Sequence, residues 1–382
     1  MNALTTRDLV NLVRSAFPRV ETDKRLAVLV DIPRNSAADN EPWRIRRSTA
    51  VDWAEALNAG RADIPLAGVV LIAYLDVGSN NADLPAVGYV IEGPLPELAW
   101  DLAVVGRQVP FDAVFRNYQI ILAPTEYSTT APLKNAARTH GFRAATMPGF
   151  AASMIPALRI DYTEVGRRCR VLKGMLDEAD QARIEFVVDG QKTHLMTFDL
   201  RFRSAHESSG RFPEKGMAGN LPSGETYIVP YEGEMGESSG TRGVLPVQIG
   251  DEIVRFGIGA NRVIAVDGSG EAAEREENHL AAEPAYGNMA ELGFGVLADF
   301  GIEPVGEILL DEKLGLHVAF GRSDHFGGTV GPSAFSSPAA VIHLDRIYIP
   351  AVQPRIAVES VELDFPDGRI EGIMAAGRYT IF

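Results

Sequence analysis

Residues 25 to 33 read RLAVLVDIP, a run too apolar for a strand that keeps one face in water. Strands with a wet face alternate apolar and polar residues, and strands covered on both sides do not. The run therefore predicts a strand sandwiched between two layers. An amphipathic helix capped near Thr6 precedes it. After it come a helical segment RSTAVDWAEALNAG, strands GVVLIAYLD (68–76) and VGYVIEG (87–93), a helix PELAWDLAVVG, a strand YQIILAP (118–124), a helix TTAPLKNAARTHG and a strand FRAATMPG (142–149). Strand and helix in alternation imply a mostly parallel sheet flanked by helices. Residues 1–160 are thus read as an α/β open-sheet domain. No Gly-x-Gly-x-x-Gly and no Walker-type loop follows any of these strands, so the usual nucleotide fingerprints are missing.

The texture changes after a long helical stretch at 150 to 180. From RIEFVVDGQKTHLMTF onward, short alternating runs broken by Gly, Asp and Pro suggest antiparallel strands, with VVDGQKTHL the clearest hairpin. An acidic, exposed helix, GEAAEREENHLAAE (270–283), interrupts them. Residues 161–382 are read as an α+β domain, and two domains suit a chain of 382 residues.

A net charge of −15 argues against nucleic acid as a partner, because phosphate binding draws on clustered Lys and Arg. Apolar runs such as LAGVVLIAYL fall short of the roughly 18 to 20 residues that span a bilayer, so no membrane partner is expected. MNALTTRDLVNLVRSAF interleaves charge with apolar residues and lacks the order of an export signal. A cytoplasmic protein is the expectation. The single cysteine, Cys169, excludes an internal disulfide and Cys-x-x-Cys zinc sites. Arg167, Arg168 and Arg170 give its thiol some electrostatic encouragement, but a bystander helix cysteine is the plainer reading.

Chemistry gathers in the later half. VIHLDRIYIP (341–350) reads as a buried strand that nevertheless carries His343 and Asp345. Such groups are expensive to bury without compensation. Period two puts both on one face with Cα atoms roughly 7 Å apart, close enough for the side chains to converge on one cation. A core histidine satisfied by its neighbour is the bland alternative for the pair alone. His317 sits in a second apolar strand, GLHVAFG, sharing a face with Ala319. Glu225 ends the turn NLPSGETYIVP, and Glu291 stands in NMAELGFG with no cation near it in sequence. Two glutamates, two histidines and an aspartate in apolar, glycine-bordered settings make a donor set large enough for two hard or borderline cations.

In this order, NLPSGETYIVP, NMAELGFG, ILLDEKLGLHVAFG, HFGG and VIHLD resemble the C-terminal domain of the thermophilic-type metalloaminopeptidases, the aminopeptidase T and aminopeptidase S family, with leucyl-aminopeptidase-like activity. The resemblance covers most of residues 110 to 350, including MPGF (147–150). It implies that Glu225, Glu291, His317, His343 and Asp345 bind two divalent ions (Zn, Co or Mn) in a metal-binding catalytic domain, that the substrate is a peptide or small amide, and that the protein is a homodimer. Family members carry a tyrosine seven residues after the histidine matching His317, whereas this chain has Asp324 there, followed by His325. Asp324 or His325 is the candidate for proton transfer. Related ring-opening dioxygenases of dihydroxypyridines use one Fe(II) held by two histidines and a carboxylate. His317, His343 and Asp345 could form that triad, but those dioxygenases have a histidine in place of Glu291 and lack the partners of Glu225 and His317.

Other candidates are weaker. Lys313, beside Asp311 and Glu312, offers a carbonyl-polarising cation but reads as part of a solvated turn. No Gly-x-Ser-x-Gly elbow supports serine hydrolysis; GPSAFSS reads as a flexible loop. Trp43, Arg44, Arg46 and Arg47 read as helix packing with a basic rim in preference to a substrate opening.

Overall fold

The computed structural model describes residues 3–95 and 101–382. Residues 96–100, the first half of the helix expected at PELAWDLAVVG, lie outside them, as do Met1 and Asn2 of the opening segment. The chain forms two compact units, Met1–Gly166 with Gly210–Ser223, and Arg167–Ser209 with Gly224–Phe382.

The strands are β1 (Arg25–Ile32), β2 (Gly68–Leu75), β3 (Val87–Ile91), β4 (Gly106–Pro110), β5 (Ile120–Ala123), β6 (Arg143–Thr146), β7 (Gln181–Val188), β8 (Lys192–Asp199), β9 (His206–Ser208), β10 (Ala218–Asn220), β11 (Glu225–Ile228), β12 (Arg242–Ile249), β13 (Glu252–Gly259), β14 (Arg262–Asp267), β15 (Met289–Gly295), β16 (Leu316–Gly321), β17 (His343–Ile347), β18 (Ile356–Asp364), β19 (Ile370–Ala375) and β20 (Arg378–Tyr379).

The first unit holds one sheet in the order β10-β6-β5-β1-β2-β3-β4. Its five strands from β10 to β2 run parallel, and β3 and β4 add an antiparallel edge. Every residue of β1 from Leu26 to Ile32 is buried, as a doubly covered strand requires. Asp31, at its end, is compensated: Trp43 Nε1 and the backbone amides of Glu126 and Tyr127 donate to its carboxylate at 2.9 to 3.1 Å. Trp43 belongs to the helix Glu41–Ala59, whose cap Asn40 accepts from the Trp43 amide. Arg46 and Arg47 are buried and paired with Glu126 and Asp39, so this segment packs and forms no open rim there.

The stretch from 150 to 180 is not one helix. A 3-10 segment, Ala152–Leu158, with Pro156 inside it, precedes an α-helix at Tyr162–Glu178. Proline removes a helical donor and crowds the preceding turn, which explains the break. Cys169 lies buried in that α-helix, where burial pushes its thiol well up, as a bystander should be.

The second unit holds two antiparallel sheets. One has eight strands, β14-β13-β12-β8-β7-β18-β19-β20; the other has five, β17-β16-β15-β11-β9. The expected hairpin joins β7 to β8, with Asp189 and Gly190 both at positive φ (53° and 67°). The acidic helix, Glu271–Ala282, is less exposed than its composition suggests: Ala272, Ala273 and Glu276 are buried, and Glu276 accepts from the Tyr286 hydroxyl at 2.6 Å. VIHLDRIYIP also departs from expectation. Its strand β17 is the edge of the five-stranded sheet and is half-buried from His343 to Arg346. No helix among the described residues is long and apolar enough to cross a membrane.

Candidate metal centre

Register in the five-stranded sheet decides which side chains share a face. Glu225 lies opposite Gly295, Tyr227 opposite Gly293, Glu291 opposite Ala319, His317 opposite Gly293, and Asp345 and His343 opposite Ala319 and Gly321. Cross-strand partners project to the same side, and so do residues two apart along a strand. Glu225, Tyr227, Glu291, His317, His343 and Asp345 therefore stand on one face. The other face carries Ile228, Leu292, Phe294, Val318 and Phe320, all fully buried, which anchors the sheet in the apolar core.

The five candidate ligands meet in two overlapping groups: Glu225, Glu291 and His317, and Glu291, His343 and Asp345, with one ligand atom from each lying within 4.8 Å of the others in its group. Glu291 belongs to both. Its Oε1 is 3.3 Å from His317 Nε2 and its Oε2 is 3.2 Å from His343 Nε2. His317 Nε2 also lies 3.6 Å from Glu225 Oε2, and His343 Nε2 lies 3.8 Å from Asp345 Oδ1.

Each imidazole is oriented from behind. His317 Nδ1–H donates to the Gly315 carbonyl at 3.3 Å, and His343 Nδ1–H donates to the Arg322 carbonyl at 2.7 Å. Both Nε2 atoms are thereby turned toward the carboxylates, the arrangement that prepares histidine as a metal ligand. The His317 ring also requires a glycine beneath it. A Cβ on Gly293 would fall 1.9 Å from Nε2. A glycine inside a strand often marks such a close approach.

Electrostatics fit the same picture. Burial opposes charge on His317, but its hydrogen bond to Glu291 and the charges of Glu291, Glu225 and Asp345 outweigh it and push the pKa up to about 10. His343, against the same burial penalty, is raised to about 9 by Glu291, Asp345 and the Arg322 carbonyl. Protonated, the two imidazoles bring two positive charges to the carboxylates, half of what two divalent ions would supply. Burial pushes Glu291 up, yet its hydrogen bonds from both imidazoles hold it below the usual carboxylate range. Burial raises Asp345, aided by the charge of Glu291. Glu225 is raised by burial against the pull of Lys313.

Lys313 corrects the sequence reading. It is not in a solvated turn: it is buried, its Nζ donates to Glu225 Oε1 at 2.5 Å, and it also pairs with Glu312. One oxygen of Glu225 is thus engaged, while the other, Oε2, is buried with no hydrogen-bond partner among the described residues. A buried carboxylate oxygen left unsatisfied is costly, and a cation at this point would satisfy it. The residues present fit a metal ion there.

Asp324 and His325 stand apart from the two groups. The Asp324 carboxylate accepts from Arg322 Nε at 2.6 Å, which outweighs burial and lowers its pKa. His325 meets His343 edge to face at 5.1 Å between centroids. Burial and the charges of His343 and Arg322 lower its pKa to about 4, so it is neutral at pH 7. Its Nδ1 is 3.7 Å from Asp324.

Two further residues went unremarked as site members in the sequence. Tyr227, two positions after Glu225, shares the face by periodicity alone, and burial together with Glu291 and Glu225 keeps its phenol protonated. Glu232 accepts from Ser323 Oγ at 2.5 Å, Thr329 Oγ1 at 2.7 Å and Asn288 Nδ2 at 2.8 Å, and so pins both ends of the loop bearing His325 and Phe326. Nothing local in YEGEMG signals that role.

No protein-family model matches the chain, and no curated protein sequence does. Solved structures with the same fold include two that run the length of the chain. One is 2,5-dihydroxypyridine dioxygenase from Pseudomonas putida KT2440, at 14% identity and a TM-score of 0.58 over 99% of this chain and 97% of that one. The other is wild-type AmpT from Thermus thermophilus, at 13% identity and a TM-score of 0.54 over 98% of this chain and 99% of that one. At such identities the likeness is one of fold, along the whole length of each chain.

Proposed function

We propose that the chain is a metal-dependent hydrolase of the aminopeptidase type, releasing N-terminal amino acids from peptides or small amides at a centre for two divalent ions. One observation carries this reading: the two oxygens of Glu291 each face a different imidazole, at 3.3 and 3.2 Å, with a further carboxylate beside each. That is the disposition of a bridging ligand. Glu225, Glu291 and His317 would hold one ion, and Glu291, His343 and Asp345 the other. When bound, such ions supply Lewis acidity and a water acidic enough to attack at neutral pH.

The chain's own residues do the rest. Lys313 fixes Glu225 with its free oxygen toward the centre. The Gly315 and Arg322 carbonyls hold both imidazoles in the ligating tautomer. His325, neutral and beside His343, accepts a proton from the attacking water and delivers it to the leaving amine, while Asp324, 3.7 Å from its Nδ1, stabilises the imidazolium.

Fold likeness to the dihydroxypyridine dioxygenase supports a second reading, a one-iron ring-opening dioxygenase. It needs two imidazoles and one carboxylate around a single ion, and the two imidazoles here fall in different groups. A screen of the zinc-, cobalt- or manganese-loaded protein against aminoacyl amides and dipeptides, run beside oxygen uptake with Fe(II) and a dihydroxypyridine, separates the two. Amide hydrolysis without oxygen uptake is expected. Oxygen uptake without hydrolysis would overturn the proposal.

A further inference from the structure

The second unit contains five tyrosines, and four of their hydroxyls are engaged. Tyr231 donates to the Glu237 carbonyl at 3.0 Å, Tyr286 to Glu276 at 2.6 Å, Tyr348 to the Pro246 carbonyl at 2.9 Å and Tyr379 to the Gly295 carbonyl at 2.9 Å. Tyr227 is the exception: burial and charge act on its phenol, and no hydrogen bond does among the described residues. Tyr227 is half-buried, so its hydroxyl is neither sealed in the core nor tied to a neighbour. The one that lacks a partner stands on the face that carries the candidate ligands.

Its position is specific. Tyr227 and His317 flank Gly293 on opposite sides, each paired with it in register. With strands spaced about 4.8 Å apart, the two Cα atoms lie roughly 10 Å from each other, and because Gly293 between them has no side chain, the His317 ring lies over it. The ring itself is fixed. His206 stacks on one side at 5.4 Å, Phe326 packs at 4.7 Å, and His206 Nε2 hydrogen-bonds the Phe326 carbonyl at 3.0 Å. The structure therefore holds the ring rigidly and leaves the hydroxyl uncommitted, the condition for a preorganised donor.

We propose that the Tyr227 hydroxyl is a catalytic hydrogen-bond donor to the carbonyl oxygen of the scissile amide, a role that rests on the hydrolase reading above. As the water oxygen bonds to the carbonyl carbon, the π pair of the C=O moves onto oxygen, where the phenol O–H donates to it. When the pair returns, the C–N bond breaks and the amine leaves with the proton taken from water. Tyr227 keeps its own proton throughout, so atoms and charge balance without another reactant.

The test uses the full-length, metal-loaded protein and the best aminoacyl amide from the screen. Tyr227→Phe keeps the ring and its packing and removes only the donor. Loss of one such donor costs about a hundredfold in kcat. That fall is expected with KM within about threefold and metal content unchanged, a split that a packing defect does not produce. A kcat within about threefold of the parent, or a loss of activity that tracks loss of metal, would overturn the role. If the parent protein hydrolyses no amide, the hydrolase reading fails first and takes this inference with it.

Discussion

Gly293 gives the sharpest prediction because steric demand and chemistry coincide there. In Gly293→Ala the new Cβ would lie 1.9 Å from His317 Nε2, 2.3 Å from Cε1 and 2.6 Å from Cδ2. Favourable contact between such atoms begins near 3.5 Å, so the ring must withdraw by about 1.5 Å. It has nowhere easy to go. His317 is only 1% exposed, and its Nδ1 is tied to Gly315. Withdrawal breaks the 3.3 Å contact with Glu291. Overpacking costs about 1–3 kcal/mol, and losing a charge-assisted hydrogen bond costs about 1.5–3 more. A combined loss of about 2.5–6 kcal/mol lowers Tm by roughly 5–24 °C in a unit of this size. Metal affinity falls about a hundredfold, the upper range for disturbing a ligand's orientation. Thermal melts and calorimetric metal titrations measure both. Gly372→Ala is the control, since Gly372 lies in β19 and an added Cβ meets nothing within 4 Å. Equal melting temperatures and equal metal binding in the two variants would refute the steric argument.

Lys313→Met leaves Glu225 and Glu312 without their cation, and breaking a buried pair costs about 3–5 kcal/mol; urea denaturation should show that loss in the metal-free protein and a smaller one when metal is bound. In the metal-free protein His317 and His343 have pKa values of about 10 and 9, against about 6.5 when unfolded. The folded state binds more protons between those values, so the stability they confer is complete below about pH 6.5 and is lost as pH rises through 9 to 10. Metal displaces those protons, and calorimetry near pH 7.5 in buffers of different ionisation enthalpy should record about two protons released per loaded chain; release of none would contradict the arrangement. His325→Gln should lower kcat about a hundredfold at unchanged metal content, and unchanged turnover would remove His325 from the reaction.

Much of the architecture was legible because periodicity is local. RLAVLVDIP lacks a wet face and became a strand buried along Leu26–Ile32. Period two placed His343 with Asp345, and His317 with Ala319, on shared faces, and the observed register keeps them there. What escaped depends on distant partners. Lys313 looks solvated beside Asp311 and Glu312, and only Glu225, 88 positions away in sequence, reveals it as a buried ion. Glu232 is likewise defined by Ser323 and Thr329. The burial of β17 was overestimated because an apolar strand at the edge of a sheet reads like one at its centre. Gly293 left a usable signal: in NMAELGFG it alternates with Glu291 and Gly295, which marks one face of the strand as cleared of side chains.

Everything proposed for this centre depends on Glu291 as the shared ligand of two ions. Anomalous diffraction from cobalt- or zinc-loaded crystals, paired with metal content of the purified protein, tests this directly. Two peaks, one on each side of the Glu291 carboxylate, and loss of both in Glu291→Ala are the predicted result. A single peak bound by one histidine alone, or two ions retained without Glu291, would contradict it.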